Sequence, residues 1–130
     1  VILDTSALIA IFWGEPEQAR FTSLIAEVET CRISAANLLE LHMVLRGQLD
    51  DGAVMVLDRF LGAAAIRVEP VTPEQVQLAR AAFDAFGKGR HPAGLNFGDC
   101  FAYALARATG LPLLFKGEDF SRTDIPRAVG

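Results

Sequence analysis

Short apolar runs alternating with amphipathic helices predict an α/β fold with a short, mainly parallel central sheet. Two observations carry this expectation. The runs Val1–Leu3, Cys31–Ile33, Ile66–Val68 and Leu113–Phe115 are short and almost wholly apolar, as buried strands are. The segments between them repeat their apolar residues at helical spacing and begin with residues that cap helices. With 130 residues and a mass of 14.0 kDa, the chain is expected to form one domain over 1–130.

The elements follow in order. Val1–Leu3 reads as a strand that stops at Asp4, and Thr5 to Ile11 as a helix. Glu15 to Glu29 reads as a second helix with Pro16 near its start, because Phe21, Leu24, Ile25 and Val28 share one face. After the strand Cys31–Ile33, Ser34 caps a helix running to Arg46 and stopped by Gly47. Asp51 to Ala64 is a further helix, burying Val54, Leu57, Phe60 and Leu61. After Ile66–Val68, Thr72, Pro73 and Gln75 make a helix start with a capping box. Val76, Ala79, Phe83 and Phe86 are expected to form that helix's core stripe. Asn96 caps a helix over 97–109 that ends at Gly110. Leu113–Phe115 is the fourth strand, and the tail from Ser121 is irregular.

Composition excludes several classes. At 52% hydrophobic and 22% charged residues, the chain has enough apolar surface to fold. A net charge of −4 excludes a strongly basic nucleic-acid binder, though not a local basic patch. Two cysteines, Cys31 and Cys100, are too few for a disulfide framework; both read as buried thiols of a reducing, cytoplasmic setting. No apolar run reaches the ~18–20 residues that span a bilayer, so no membrane association is expected. A strand starting at residue 1, with no basic flank, gives the expectation that little beyond an initiator methionine precedes it.

Most of the 16 acids sit where solvated charges belong: Glu15, Glu17, Asp51 and Glu74 in first helical turns, Asp50 and Asp124 on plain surface. Four do not. Asp4 directly follows a buried strand, where it serves equally as a helix cap. Glu40 lies on an apolar helical stripe with Ala36, Met43 and Val44, and there is no Lys or Arg between Arg32 and Arg46 to pair with it. Asp99 is flanked by Phe97, Cys100 and Phe101 in the first turn of its helix. Asp119 and its neighbour Glu118 closely follow the fourth strand.

In a parallel sheet, ligands bind beyond the carboxyl ends of the strands, where Asp4 and Asp119 fall. Carboxylates gathered there repel one another unless a cation holds them. The two histidines, His42 and His91, are isolated, so the ligand set is all oxygen and suits Mg²⁺ or Mn²⁺. Such ions among carboxylates suit phosphodiester cleavage.

These residues resemble the PIN-domain family, and within it the VapC-type toxins of bacterial toxin–antitoxin pairs. The resemblance rests on Leu3-Asp4-Thr5-Ser6-Ala7-Leu8, on Glu40, on the run from Phe97 to Ala104, and on Leu113 to Phe120, with the acids 36, 59 and 20 positions apart. It implies a PIN-like three-layer α/β/α sandwich and a metal-dependent endoribonuclease. Its catalytic and metal-binding acids would be Asp4, Glu40, Asp99 and Asp119. Ser6 would support the first acid. The resemblance also implies a homodimer and a small VapB-like antitoxin that holds the toxin inactive. Gly117 departs from the pattern, because many relatives carry a further acid or amide there; whether one or two ions bind stays open, with Glu118 a possible substitute.

For RNA contacts, Lys116 with Arg122, the loop Lys88–Arg90–His91, and Arg20 are the basic candidates. Trp13 is open between stacking and a partner surface, and Phe12 is expected in the core. Two other readings stand beside the nuclease. One is a catalytically impaired module of the same fold, acting by RNA or partner binding. The other is a phospho-acceptor domain using Asp4 as nucleophile, disfavoured because Ser6 stands where a second acid is usual.

Overall fold

The structure, a computed structural model, describes residues 1–48 and 51–128. A four-stranded, fully parallel sheet lies at its centre, in the order β3-β2-β1-β4. Its strands are β1 (Ile2–Leu3), β2 (Arg32–Ser34), β3 (Arg67–Glu69) and β4 (Leu113–Leu114). The helices are α1 (Thr5–Phe12), α2 (Gln18–Glu27), α3 (Ala35–Gln48), α4 (Asp51–Ala63), α5 (Pro73–Phe86) and α6 (Phe97–Thr109), and a 3₁₀ turn covers Phe120–Arg122.

Successive residues of a strand face opposite sides, and here that alternation builds two cores. Leu3, Ile33 and Leu114 join the buried residues of α1 to α4 on one face. Ile2, Leu113 and Phe115 join Ala82 of α5 and the buried side of α6 on the other. The result is the expected three-layer sandwich.

The order of strands sets the position of the site. From β1 the chain builds outward through β2 to β3, then returns to place β4 on the other side of β1. The topological switch point therefore lies between β1 and β4, where a parallel sheet opens its ligand crevice. Asp4 leaves β1 there, with its N–H donated to the Leu114 carbonyl at 3.0 Å.

Several boundaries differ from expectation. α2 starts at Gln18, not Glu15, because Glu15, Pro16 and Glu17 form a turn. Gln18 closes that turn by donating Nε2 to the Ile11 carbonyl at 2.7 Å. α3 runs through Gly47 to Gln48, and Gly47 itself is not in the left-handed region. β3 is an exposed edge strand rather than a buried one, since only β2 pairs with it. The stripe expected of α5 joins the core only in part, through Ala79 and Phe86, which are partly buried against it. Gln75 and Ala82 are buried, whereas Val76 and Phe83 stand exposed. The tail is better ordered than its sequence indicates: Leu113 N–H bonds the Pro126 carbonyl at 2.9 Å and Ala128 N–H bonds the Leu113 carbonyl at 2.8 Å. Asp50 and the side chain of Asp51 lie outside the described residues.

The expected caps at Thr72, Asn96 and Gly110 are present, the last with φ 71°. Cys31 and Cys100 are buried free thiols, and Phe12 packs edge-on against Phe60 at 5.3 Å. No helix among the described residues is long and apolar enough to cross a membrane.

Candidate active site

Asp4 is both cap and candidate ligand. It is 3% exposed and precedes α1 with extended backbone. Its Oδ2 accepts the Ser6 N–H at 3.0 Å and the Ser6 hydroxyl at 2.6 Å. Ser6 Oγ in turn accepts the Lys116 N–H at 3.0 Å, so one hydroxyl ties the ends of β1 and β4 together. Asp4 Oδ1 is buried and has no hydrogen-bond partner. A carboxylate oxygen left this way is costly unless something cationic meets it.

Glu40 reaches the same crevice from α3. Its Oε1 accepts from Thr5 Oγ1 at 2.5 Å and from Asn37 Nδ2 at 3.2 Å. Asn37, fully buried, also donates Nδ2 to the Gly98 carbonyl at 2.9 Å, which joins α3 to the first turn of α6. The carboxylate itself lies against Gly98, in space a β-carbon there would occupy.

Asp99 sits one residue beyond. It completes a capping box with Asn96: Asp99 N–H bonds Asn96 Oδ1 at 2.9 Å, and Asp99 Oδ2 accepts the Asn96 N–H at 3.0 Å. Asp119 is exposed and opens the 3₁₀ turn after β4. Glu118 is exposed and accepts from Ser121 Oγ at 3.2 Å. Gly117 between them and β4 has φ 101°, a conformation that side chains strain to adopt; this is a backbone reason for glycine there.

Electrostatics bind four of these acids into one group. Burial pushes the Asp4 carboxyl up to about 6; the Ser6 hydrogen bonds oppose this and the Glu40 charge adds to it. Burial also pushes Asp99 up to about 7, opposed by the Asn96 N–H and reinforced by the charges of Asp4, Asp119 and Glu40. Asp99 thus feels all three other acids singled out in the sequence. Among the described residues, no three Asp, Glu, His or Cys side chains enclose an ion by themselves. The donors fit Mg²⁺ or Mn²⁺ in a more open way. Magnesium keeps several waters and takes one or two carboxylates together with substrate phosphates, and the unpartnered Asp4 Oδ1 is an atom that could serve as such a ligand.

A PIN domain family model matches residues 1–126. The chain belongs to the PIN domain family. It is of the VapC type: it is 48% identical over 130 residues to Ribonuclease VapC28 of Mycobacterium tuberculosis, covering 99% of this chain and 98% of that one. It is 42% identical over 125 residues to Ribonuclease VapC of Mycolicibacterium smegmatis, covering 96% and 97%. The fold matches the crystal structure of Mycobacterium tuberculosis VapC20, a sarcin-ricin loop cleaving toxin, with a TM-score of 0.79 at 20% identity over 99% and 98% of the two chains.

Around the acids of this PIN domain, the basic candidates separate. Lys116 Nζ is engaged in ion pairs with Glu15 and, at 3.4 Å, with Glu17. It therefore clamps the α1–α2 turn to the end of β4. Lys88 and Arg90 stand exposed in the loop between α5 and α6, as does Arg122 after Asp119. Arg20 lies over the Phe21 ring. His91 Nδ1 accepts the Ala93 N–H at 3.0 Å, a loop-shaping role, and half-buried His42 lies between α3 and α4. Trp13 is exposed at the end of α1.

Sequence reasoning missed Thr5, Asn37 and Gly98. Asn37 lies three residues before Glu40, on the same helical face, and that spacing was the available signal. Nothing in the sequence marks Gly98 as the floor beneath Glu40.

Proposed function

We propose that this PIN domain, a single unit over 1–130, is a Mg²⁺- or Mn²⁺-dependent endoribonuclease toxin of the cytoplasm. In this reading Asp4, Glu40, Asp99 and Asp119 hold the ion, a small VapB-like antitoxin keeps the toxin inactive, and two copies form the working unit. The observation that carries it is Asp4 Oδ1, buried without a partner at the β1–β4 switch point, where burial and then neighbouring acid charges raise the Asp4 and Asp99 carboxyls. The ribonuclease names of the VapC relatives support RNA as substrate. Solved toxin–antitoxin complexes of the same fold, from Klebsiella pneumoniae and Rickettsia felis, support the antitoxin.

The chain's own part is preorganisation. Ser6 holds Asp4 by one oxygen and leaves the other free. Thr5 and Asn37 fix the Glu40 carboxylate on Gly98. Asn96 does the same for Asp99. A bound divalent ion would supply the positive charge these acids lack, together with Lewis acidity toward a phosphodiester. Exposed Lys88, Arg90 and Arg122 would hold the flanking phosphates.

The test is RNA cleavage by Asp4→Asn and Asp99→Asn with magnesium or manganese present. Both variants keep the hydrogen-bonding shape and lose ligand charge. Cleavage is expected to fall at least about 100-fold with an unchanged circular dichroism spectrum. Full activity in both would overturn the reading.

A further inference from the structure

The loop between α5 and α6 is neither helix nor strand, yet its own hydrogen bonds close it. Lys88 N–H donates to the Leu95 carbonyl at 2.9 Å and Leu95 N–H to the Phe86 carbonyl at 3.0 Å, which pins its two ends together. Inside it, Arg90 N–H and His91 N–H both donate to the Gly87 carbonyl, and Gly94 N–H donates to the His91 carbonyl, at 2.9–3.0 Å. One inner N–H is satisfied by a side chain instead: Ala93 donates to His91 Nδ1 at 3.0 Å. A backbone N–H can only donate, so Nδ1 is unprotonated and the ring proton sits on Nε2. The imidazole also stands edge-on to Phe86 at 5.2 Å, and Phe86 packs on the core beside Tyr103 of α6. His91 thus braces the loop twice, through its nitrogen and through its ring.

What the braced loop presents is positive. Lys88 and Arg90 are exposed, and no acid lies between Asp84 and Asp99. In a chain of net charge −4, two cations without an acid point to an anionic partner. Ala93 and Leu95 are fully buried, so the loop offers a protein no large apolar anchor; a phosphate backbone needs none. The loop ends at Asn96, whose N–H is held by Asp99 Oδ2 at 3.0 Å. The path from the two cations to an acid of the site therefore runs along hydrogen-bonded backbone. We infer that the α5–α6 loop is a preformed seat for RNA phosphates, and that His91 is its positioning residue, fixing Lys88 and Arg90 relative to Asp99 before RNA arrives. This rests on the proposed ribonuclease function and names the side chain that sets the register of its substrate. A loop ordered in advance removes part of the ordering cost from binding.

Fluorescence anisotropy of a labelled single-stranded RNA of mixed sequence tests this, with the full chain carrying Asp99→Asn, at low salt and in EDTA. Neither cleavage nor metal then enters, so the outcome is separate from that of the nuclease reading. His91→Phe keeps a ring against Phe86 and deletes the acceptor; it should weaken RNA binding at least about fivefold. His91→Asn keeps an acceptor for the N–H two residues on, as asparagine does in turns, and should bind within about twofold of its parent. In a chain already carrying Lys88→Met and Arg90→Met, His91→Phe should have no further effect, because the cations it positions are gone. Circular dichroism checks the fold of each variant, and the Lys88→Met, Arg90→Met pair tests the seat without touching its hydrogen bonds. In cleavage assays of the otherwise wild-type chain, His91→Phe should raise KM while kcat stays within about twofold. Equal losses from His91→Phe with and without the two cations would mark a merely structural histidine and overturn the inference. So would RNA binding indifferent to Lys88→Met and Arg90→Met together, which would leave the loop to a protein partner. A lower kcat at unchanged KM would overturn it too, and assign His91 to the support of Asp99.

Discussion

The carboxylate of Glu40 on α3 rests directly on the α-carbon of Gly98 in the first turn of α6, with no room for a side chain between them. Glycine in a helix costs about 1 kcal/mol relative to alanine, so its presence here calls for a reason. Gly98→Ala should gain helix propensity and push the Glu40 carboxylate off Thr5 and Asn37. Because the displaced group is the end of a flexible side chain, stability should change by less than about 1 kcal/mol. Cleavage should fall at least about tenfold, since the acid is no longer held in place. Thermal melts beside RNA cleavage check both halves. Adding Glu40→Ala to Gly98→Ala should leave a stable, inactive protein.

The raised carboxyls of Asp4 and Asp99 predict a pH dependence of stability. Unfolded, both titrate near 3.9. Folded and metal-free, they titrate at about 6 and about 7. Between these values the folded chain holds more protons than the unfolded one, so their contribution to stability falls as pH rises from about 4 to 7. In EDTA the melting temperature should therefore drop between pH 5 and pH 8. Asp99→Asn should flatten that drop and melt higher than wild type at pH 8. Divalent-ion affinity should run the opposite way, rising through pH 6 to 7 as protons leave. A wild-type profile that matches the variant's would refute this account.

Lys116 reads in sequence as an RNA contact, but in the fold it clamps Glu15 and Glu17. The two roles differ in salt dependence. Removing a phosphate contact lowers the slope of log affinity against log salt by about one. Lys116→Met should leave the slope unchanged and lower the melting temperature, because Glu15 and Glu17 lose their cation. Adding Glu15→Gln and Glu17→Gln should recover part of that loss. In the same salt titration, Lys88→Met or Arg90→Met is expected to reduce the slope.

Asp4, Glu40 and Asp99 stood out in the sequence because each sits beside apolar residues that exclude solvated charge, and Asp119 only because it closely follows the fourth strand. What supports them did not stand out. Thr5 and Asn37 are ordinary helix residues until α1 and α3 are packed side by side. Gly98 gains meaning only from Glu40, a neighbour 58 positions away in the chain. Glu15-Pro16-Glu17 resembles a first helical turn locally, and only Lys116, far along the chain, explains why it is a turn instead. Periodicity found the apolar face of α5 but not how much of it is buried: Ala79 and Phe86 pack against the core, while Val76 and Phe83 stay exposed. The strand order, which puts Asp4 at the switch point, is a tertiary fact that no local pattern encodes.

Asp124, plain surface by sequence, pins the C-terminal segment to α6. Its Oδ1 accepts from the Tyr103 hydroxyl at 2.7 Å and its Oδ2 from Arg107 Nη2 at 2.7 Å. Burial and then the Asp124 hydrogen bond push the Tyr103 hydroxyl up to about 12, so it remains a donor at every physiological pH. The Arg107–Asp124 pair is half-exposed on both sides and should be worth less than about 1 kcal/mol. The tyrosine bond to a charged acceptor should carry more. Tyr103→Phe is expected to cost about 1–2 kcal/mol and Arg107→Ala less than that. In a double-mutant cycle with Asp124→Ala, the Tyr103 coupling should exceed the Arg107 coupling. The segment so pinned follows the turn that carries Asp119, and none of its hydrogen bonds to α6 involves an acid of the site. Tyr103→Phe should therefore lower the melting temperature while leaving divalent-ion affinity unchanged. A fall in metal affinity would show that Asp119 depends on this latch for its position.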